Sequence, residues 1–159
     1  MADIGVQYVL TTPGTDITFN EFTTPFASPG KNQYYITEIR GLESPSLRTP
    51  QDPVPLGDGG LIHPFYYGPT HISIEGVILV QSTQNMNAIV VLRNSMTASL
   101  KSALHAIKAA DGTLTFTPQG GSAQTINGLR YEVGLETTHA DNYHSLQFSF
   151  GLVTGTPYS

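Results

Sequence analysis

The side chains able to do chemistry are few: five histidines and twelve carboxylates in 159 residues, with no cysteine to supply a thiolate or sulfur ligand. The densest cluster is His139-Ala-Asp141-Asn-Tyr-His144, two imidazoles and a carboxylate within six residues. Its spacing matches neither the helical nor the finger-type zinc patterns and no fourth ligand is near. It reads as a polar hairpin turn between a strand ending near Thr138 and one starting at Ser145. Glu132 and Glu136 fall on one strand face, but four residues at ~3.3 Å each set them about 13 Å apart, beyond the roughly 5 to 9.5 Å of a glycosidase pair. No nucleophile elbow, phosphate loop, dinucleotide fingerprint or paired-histidine zinc motif occurs. Gly57-Asp58-Gly59-Gly60 and Gly120-Gly121 read as turns. The expectation is a protein that is not an enzyme, with no catalytic residue, cofactor or metal.

Arg93 stands out for a different reason, because helical spacing puts it inside an apolar stripe between Ile89, Val90, Met96 and Leu100. A charge there is costly unless paired. Its stem can pack while the head reaches solvent or an acid such as Glu75, Glu132 or Glu136, or the guanidinium can reach a neighbouring subunit. Tyr34, Tyr35, Tyr66 and Tyr67 read as aromatics at the core edge, with a sugar-stacking platform as the alternative.

The elements that carry these residues centre on His71 to Ala110. Ile72, Ile74, Ile78 and Val80 alternate with His71, Ser73 and Glu75, the period of a half-buried strand. From about residue 84 to 110, Met86, Ile89, Val90, Met96, Leu100, Ala103, Leu104 and Ile107 define one helical stripe roughly 40 Å long. Ser82 or Thr83 is the expected N-cap and Gly112 the left-handed C-terminal stop. Lys101, His105 and Lys108 lie in its second half, where cations favour the helix dipole.

Before it, residues 1–33 read as an arm with edge strands at Gly5 to Leu10 and Asp16 to Phe22. Tyr34 to Leu42 reads as a strand with Tyr34, Ile36, Glu38 and Arg40 on one face. Ser44 to Pro69, rich in proline and glycine, leaves little room for a ladder and reads as a long excursion suited to packing on a partner. After the helix, strands are expected at Thr113 to Thr117, Ala123 to Ile126, Leu129 to Glu136 and Ser145 to Val153. Asn127-Gly128 is expected as a two-residue hairpin turn. The fold class that follows is mainly β, a largely antiparallel sandwich or barrel with one long packed α-helix, in a single domain over residues 34–159.

Charged residues make up only 12% of the chain, a low share that suits a surface covered by neighbours. The formal charge of −5 gives no basic footprint for nucleic-acid binding. No apolar run is long enough to span a membrane and the start has no signal-peptide pattern, so a cytoplasmic origin is expected.

Ile36-Thr-Glu-Ile-Arg-Gly-Leu42 with Pro45 and Arg48, the proline-rich loop ending Gly57-Asp58-Gly59, the aromatic cluster, His71-Ile-Ser-Ile-Glu-Gly76, one amphipathic helix and Leu114-Thr-Phe116 follow in a telling order. Over roughly residues 34–155 it resembles the N-terminal belt domain of siphophage distal tail proteins. That resemblance implies a tail-tube-like β-sandwich with one helix, assembled as a hexameric homo-oligomer ring in the virion between the tail tube protein and the baseplate hub protein. DNA would pass through the ring as cargo only. The sequence ends at Ser159, leaving no room for the second, galectin-like or carbohydrate-binding domain of many members, so receptor binding is not implied. Arg48, Pro50, Asp52, Pro53, Pro55, Asp58, Arg93, Lys101, His105 and Lys108 are the expected inter-subunit contacts. Six copies at −5 each carry about −30, which suits an acidic lumen. Alternatives are a carbohydrate-binding module using the tyrosines and His63, a related tube or tail-completion protein, and a small hydrolase built on Glu75, Glu132 and His139.

Overall fold

The computed structural model describes residues 5–21, 32–42, 47–48, 51–53, 60–62, 66–67, 69–80, 85–139 and 144–155. In chain order the elements are β1 (Val6–Thr11), β2 (Ile17–Phe19), β3 (Gln33–Arg40), β4 (Leu47–Arg48), β5 (Gln51–Pro53), β6 (Gly60–Ile62), β7 (Tyr66–Tyr67), β8 (Thr70–Leu79), α1 (Met86–Ala106), β9 (Gly112–Pro118), β10 (Gln124–His139) and β11 (Ser145–Thr154). Seven strands close a barrel in the order β1-β2-β3-β8-β11-β10-β9. The molecule is therefore mainly β with one helix, as the periodicities imply.

The centre of the barrel is the β8–β11 pair, in unbroken antiparallel register from Thr70↔Thr154 to Leu79↔Ser145. Both strands alternate cleanly, so Ile72, Ile74, Ile78, Leu146, Phe148, Phe150 and Leu152 all turn inward and are buried. Their outward partners include His71, Ser73, Glu75 and Gln147, all exposed.

β3 departs from strict alternation. Ile36 pairs with Gly76 and Glu38 with Glu75, so Thr37 is an extra residue that bulges the strand. The bulge exchanges faces: Tyr34 and Ile36 point inward before it, Ile39 lies opposite Ile74 after it, and Glu38 and Arg40 are released outward. A single face shared by Tyr34, Ile36, Glu38 and Arg40 is thus corrected. The bulge resolves the conflict of two apolar and two charged residues on one face.

β10 corrects a second expectation. Asn127-Gly128 makes no hairpin, because β10 runs through it as one strand. Ile126 pairs with Leu114 and Leu129 with Gly112, so β10 carries one extra residue there, and Gly128 takes φ +67° to accommodate it. The hairpin between β9 and β10 turns instead at Gly120-Gly121, where Gly121 N–H donates to the Pro118 carbonyl. Past the bulge β10 leaves β9 and continues beside β11 as far as His139↔Leu146.

The excursion from Ser44 to Pro69 also differs from the irregular loop expected of its prolines. β4 pairs with β7 and β5 with β6, both antiparallel, in two short ladders along the same two runs of chain. Pro53 is tolerated because a two-stranded ladder leaves one side of each strand without a pairing requirement.

α1 is shorter than the 84–110 expected. Asn85, not Ser82 or Thr83, is the N-cap, its side chain accepting from Ala88 N–H at 3.1 Å. Ile107 is the C-cap, and Gly112 is a strand residue without a left-handed backbone. The carbonyl of Ile107, at the helix end, accepts from Tyr131 N–H of β10. Ile89, Leu100, Ala103 and Leu104 of the helix are buried, and from Leu100 onward its stripe joins inward residues of all seven barrel strands in one core. Met86, placed on that stripe by its spacing, is instead 55% exposed.

β1 and β2 are staves of the barrel, β1 pairing with β9 and β2 with β3. The β2–β3 seam is parallel and consists of one pair, Phe19↔Tyr34. Asn20 secures it. Held at φ +54°, it donates its backbone N–H to Tyr34 O, accepts from Ile36 N–H through Oδ1 at 2.9 Å and donates from Nδ2 to Val6 O. Asn20→Ala should cost about 1–3 kcal/mol, because it leaves the buried Ile36 N–H unpaired. Asn20→Gly, which keeps the backbone freedom, should be nearly as damaging in denaturant unfolding; full stability in the glycine variant would assign the effect to backbone strain instead.

The Tyr34 hydroxyl donates to the carbonyl of Met96 in α1 at 2.7 Å, and burial pushes its pKa up from 10.0 to about 12, against a smaller opposing hydrogen bond to Ser99. The folded state thus favours the neutral phenol. Its contribution is fully present below pH 10 and is lost as pH rises from about 10 through 12. Thermal midpoints measured across this window should fall more steeply for the native chain than for Tyr34→Phe.

Candidate functional site

The outer surface of β3, β8, β11 and β10 collects the carboxylates. Register places Glu38 opposite Glu75, Glu75 opposite Ser149 and Ser149 opposite Glu136, so three glutamates lie in one row across four strands. Glu38 and Glu75 are direct cross-strand neighbours, an arrangement of like charge that destabilises by itself. Arg40 offsets part of it: its Nε donates to Glu38 at 2.7 Å and, through that bond, holds the Glu38 carboxyl below its usual range. Glu75 and Glu136 share a shallow cleft of about 340 Å³ floored by Gly76 and Phe148. The close approach needs glycine, since a Cβ at Gly76 would stand 2.5 Å from the Phe148 ring. A second cleft of about 250 Å³ adjoins it, where His71 Nδ1 meets Glu132 at 2.7 Å.

This surface is a poor catalytic centre. Glu38 is held ionised, opposite to the requirement of a general acid. The His71–Glu132 pair orients an imidazole, but no hydroxyl is bonded to that ring among the described residues. Nor do the described residues contain a group of three or more histidines and acids placed to hold a metal. His139 ends β10 in the open, while His144 directs Nδ1 to the Val80 carbonyl at 3.0 Å, which makes it a structural donor; Asp141 lies outside the described residues. Tyr34 is engaged in its bond to α1, while His63 and the side chains of Tyr66 and Tyr67 lie outside what the structure describes.

On the other face of β10 lies a cationic groove of about 430 Å³ between that strand and the second half of α1. Lys101 and His105, one turn apart on the helix, and Lys108, just past its C-cap, are exposed and line it with Thr97, Tyr131, Leu135 and Thr137. Tyr131 fixes the floor: Lys108 Nζ stands 5.8 Å above its ring, the His105 ring is 6.1 Å away, and its hydroxyl accepts from Leu135 N–H. No carboxylate among the described residues lines the groove.

Of the other residues expected to make contacts, Arg48 lies in β4 and Asp52 and Pro53 in β5, in the paired excursion. Pro50, Pro55 and Asp58 lie outside the described residues. Arg93 is 8% exposed, and its Nε has no hydrogen-bond partner; neither Glu75, Glu132 nor Glu136 pairs with it. The row Glu38–Glu75–Glu136 escaped the sequence because it depends on the β3 bulge and on strand order, neither of which periodicity reveals. The groove was half visible in Lys101, His105 and Lys108, but its second wall comes from β10.

No family profile matches the sequence, and no curated protein matches it. Among solved structures, the fold is similar to the crystal structure of the Dit (gp 19.1) protein of SPP1, described as a paradigm of the hub adsorption apparatus in phages infecting Gram-positive hosts. The likeness covers 94% of this chain with a TM-score of 0.54 and 13% identity. This chain spans half the length of that protein. At such identity the likeness establishes a shared fold.

Arg93 yields a direct test of the site. Arg93→Met keeps the length of the stem and removes a buried charge with an unmatched donor. The isolated chain should gain stability, by up to a few kcal/mol in chemical unfolding. A loss of similar size would mean that the guanidinium is satisfied in the free protein.

Proposed function

We propose that this chain is a structural subunit of a phage tail, forming a ring at the distal tip of the virion that joins the tail tube to the baseplate hub and leaves a channel open for DNA. The observation that carries this reading is the shared fold, which runs over nearly the whole chain and aligns it with a protein of a phage hub adsorption apparatus. The order of sequence motifs from Ile36 to Phe116 points the same way. The low share of charged residues and the paired excursion from β4 to β7 suit a subunit whose sides are covered by copies of itself, by tube protein and by hub protein. An overall charge of about −30 for six copies would keep passing DNA from adhering to the wall.

Electron microscopy and light scattering of the purified protein test this reading. Closed rings with a central hole, at the mass of several copies, are expected. A protein that stays monomeric at every concentration, with or without its neighbouring tail proteins, would overturn it.

A further inference from the structure

We infer that copies of this chain meet head to tail, the cationic groove between α1 and β10 of one copy seating on the acidic outer face of the next. The inference rests on the ring reading and adds to it the surfaces that make the contact.

Among the described residues the ion pairs are Arg40–Glu38, His71–Glu132 and Arg130–Asp111. Lys101, Lys108, Glu75 and Glu136 belong to none of them, and all four are exposed. These unused charges are sorted by sign. The two lysines, with His105, line a groove with no carboxylate among the described residues; the two glutamates share two adjoining clefts, whose one arginine among the described residues, Arg40, is already bonded to Glu38. Few charges exist in the chain, so this separation leaves two fields of opposite sign on a mostly neutral surface.

The two fields lie on opposite sides of one strand. Beyond Leu129, β10 pairs with β11 alone, and its residues are divided by the bulges between the groove (Tyr131, Gly134, Leu135, Thr137) and the acidic side (Glu132, Val133, Glu136). A two-fold dimer needs both members of a complementary pair within one continuous patch. Surfaces on opposite faces of a strand do not form such a patch, so groove and acidic face are satisfied together only when each copy touches two others. That is a heterologous contact, which closes into a ring when the rotation permits. The occupant of the groove is therefore a second copy of the chain, and its contacting groups are Glu75 and Glu136.

Charge reversal tests the pairing without touching the core, since all four side chains are exposed. Lys101→Glu with Lys108→Glu makes the groove acidic; Glu75→Lys with Glu136→Lys makes the outer face basic. Each double variant alone should remain monomeric in light scattering while still unfolding in one cooperative thermal transition. Mixed in equal amounts, the two should assemble again to the native mass, because each then offers what the other lacks. The native ring should also dissociate as salt is raised. If either double variant assembles alone as the native protein does, or if the mixture stays monomeric, the contact lies elsewhere and the ring reading survives. If the native chain never assembles, the ring reading fails and this inference fails with it.

Discussion

The barrel depends on a seam of one residue pair. Antiparallel ladders join every other neighbouring pair of strands, but β2 and β3 meet only at Phe19↔Tyr34, in parallel. A single pair cannot hold a sheet closed by itself. Asn20 supplies the missing cohesion by imitating a strand: in a left-handed conformation it offers a backbone donor, a side-chain acceptor and a side-chain donor to β3 and β1 at once. Asparagine suits this position because its short amide tolerates positive φ and carries both kinds of hydrogen-bonding group. Next to it, Phe19 is fully buried and its ring meets those of Tyr34, Phe148 and Phe150, so the seam also anchors the aromatic part of the core.

Closure makes the rest of the packing possible. With the seven staves joined, alternate side chains of each strand point to one interior, and α1 lays Leu100, Ala103, Leu104 and Ile107 on the same cluster. Each fully buried leucine, isoleucine or phenylalanine contributes roughly 1.5–3 kcal/mol, far more than any surface ion pair here. The helix is tied at two further points, by Tyr34 to the Met96 carbonyl and by the Ile107 carbonyl to Tyr131. These bonds set how close the helix's last turns stand to β10 and so determine the width of the groove between them.

The legible parts of the fold were those where one physical rule acts alone. β8 and β11 alternate without interruption because their register is unbroken, and the apolar stripe of α1 is visible because the helix has one buried face. The illegible parts are where two rules compete. At Thr37 the demand that Ile36 and Ile39 both be buried overrides strict alternation, and a bulge results. At Asn127-Gly128 a dipeptide favourable to hairpins serves instead as a bulge within a long strand, because Leu114 and Gly112 of β9 continue to pair across it. The helix starts at Asn85 rather than two or three residues earlier, and the sequence could not rank several capping residues in succession; the Asn85 side chain accepts from the first turn at Ala88 N–H. In the excursion from β4 to β7, prolines argued against pairing, yet isolated two-stranded ladders leave enough free backbone to accommodate Pro53.

The candidate surfaces follow from what β10 does after the bulge. While it pairs with β9 and β11 it is an ordinary stave, and Ile126 and Leu129 are buried. Once β9 ends at Gly112, the strand keeps only β11, and residues from Glu132 to His139 are exposed apart from the half-buried Leu135. A lone projecting strand presents two faces to solvent, where the other staves present one. Val133 is 54% exposed on this segment, its side chain lying over Gly151 of β11, where a Cβ would stand 2.9 Å from it. Interrupted register between Tyr131 and Glu136 twists the segment further from its neighbour. The same bulge that defeats a simple hairpin reading therefore creates the strand whose opposite faces separate the lysines from the glutamates. That separation is a consequence of topology: had β9 continued beside β10, the groove would be filled and Lys101 and Lys108 would face a ladder instead of open space.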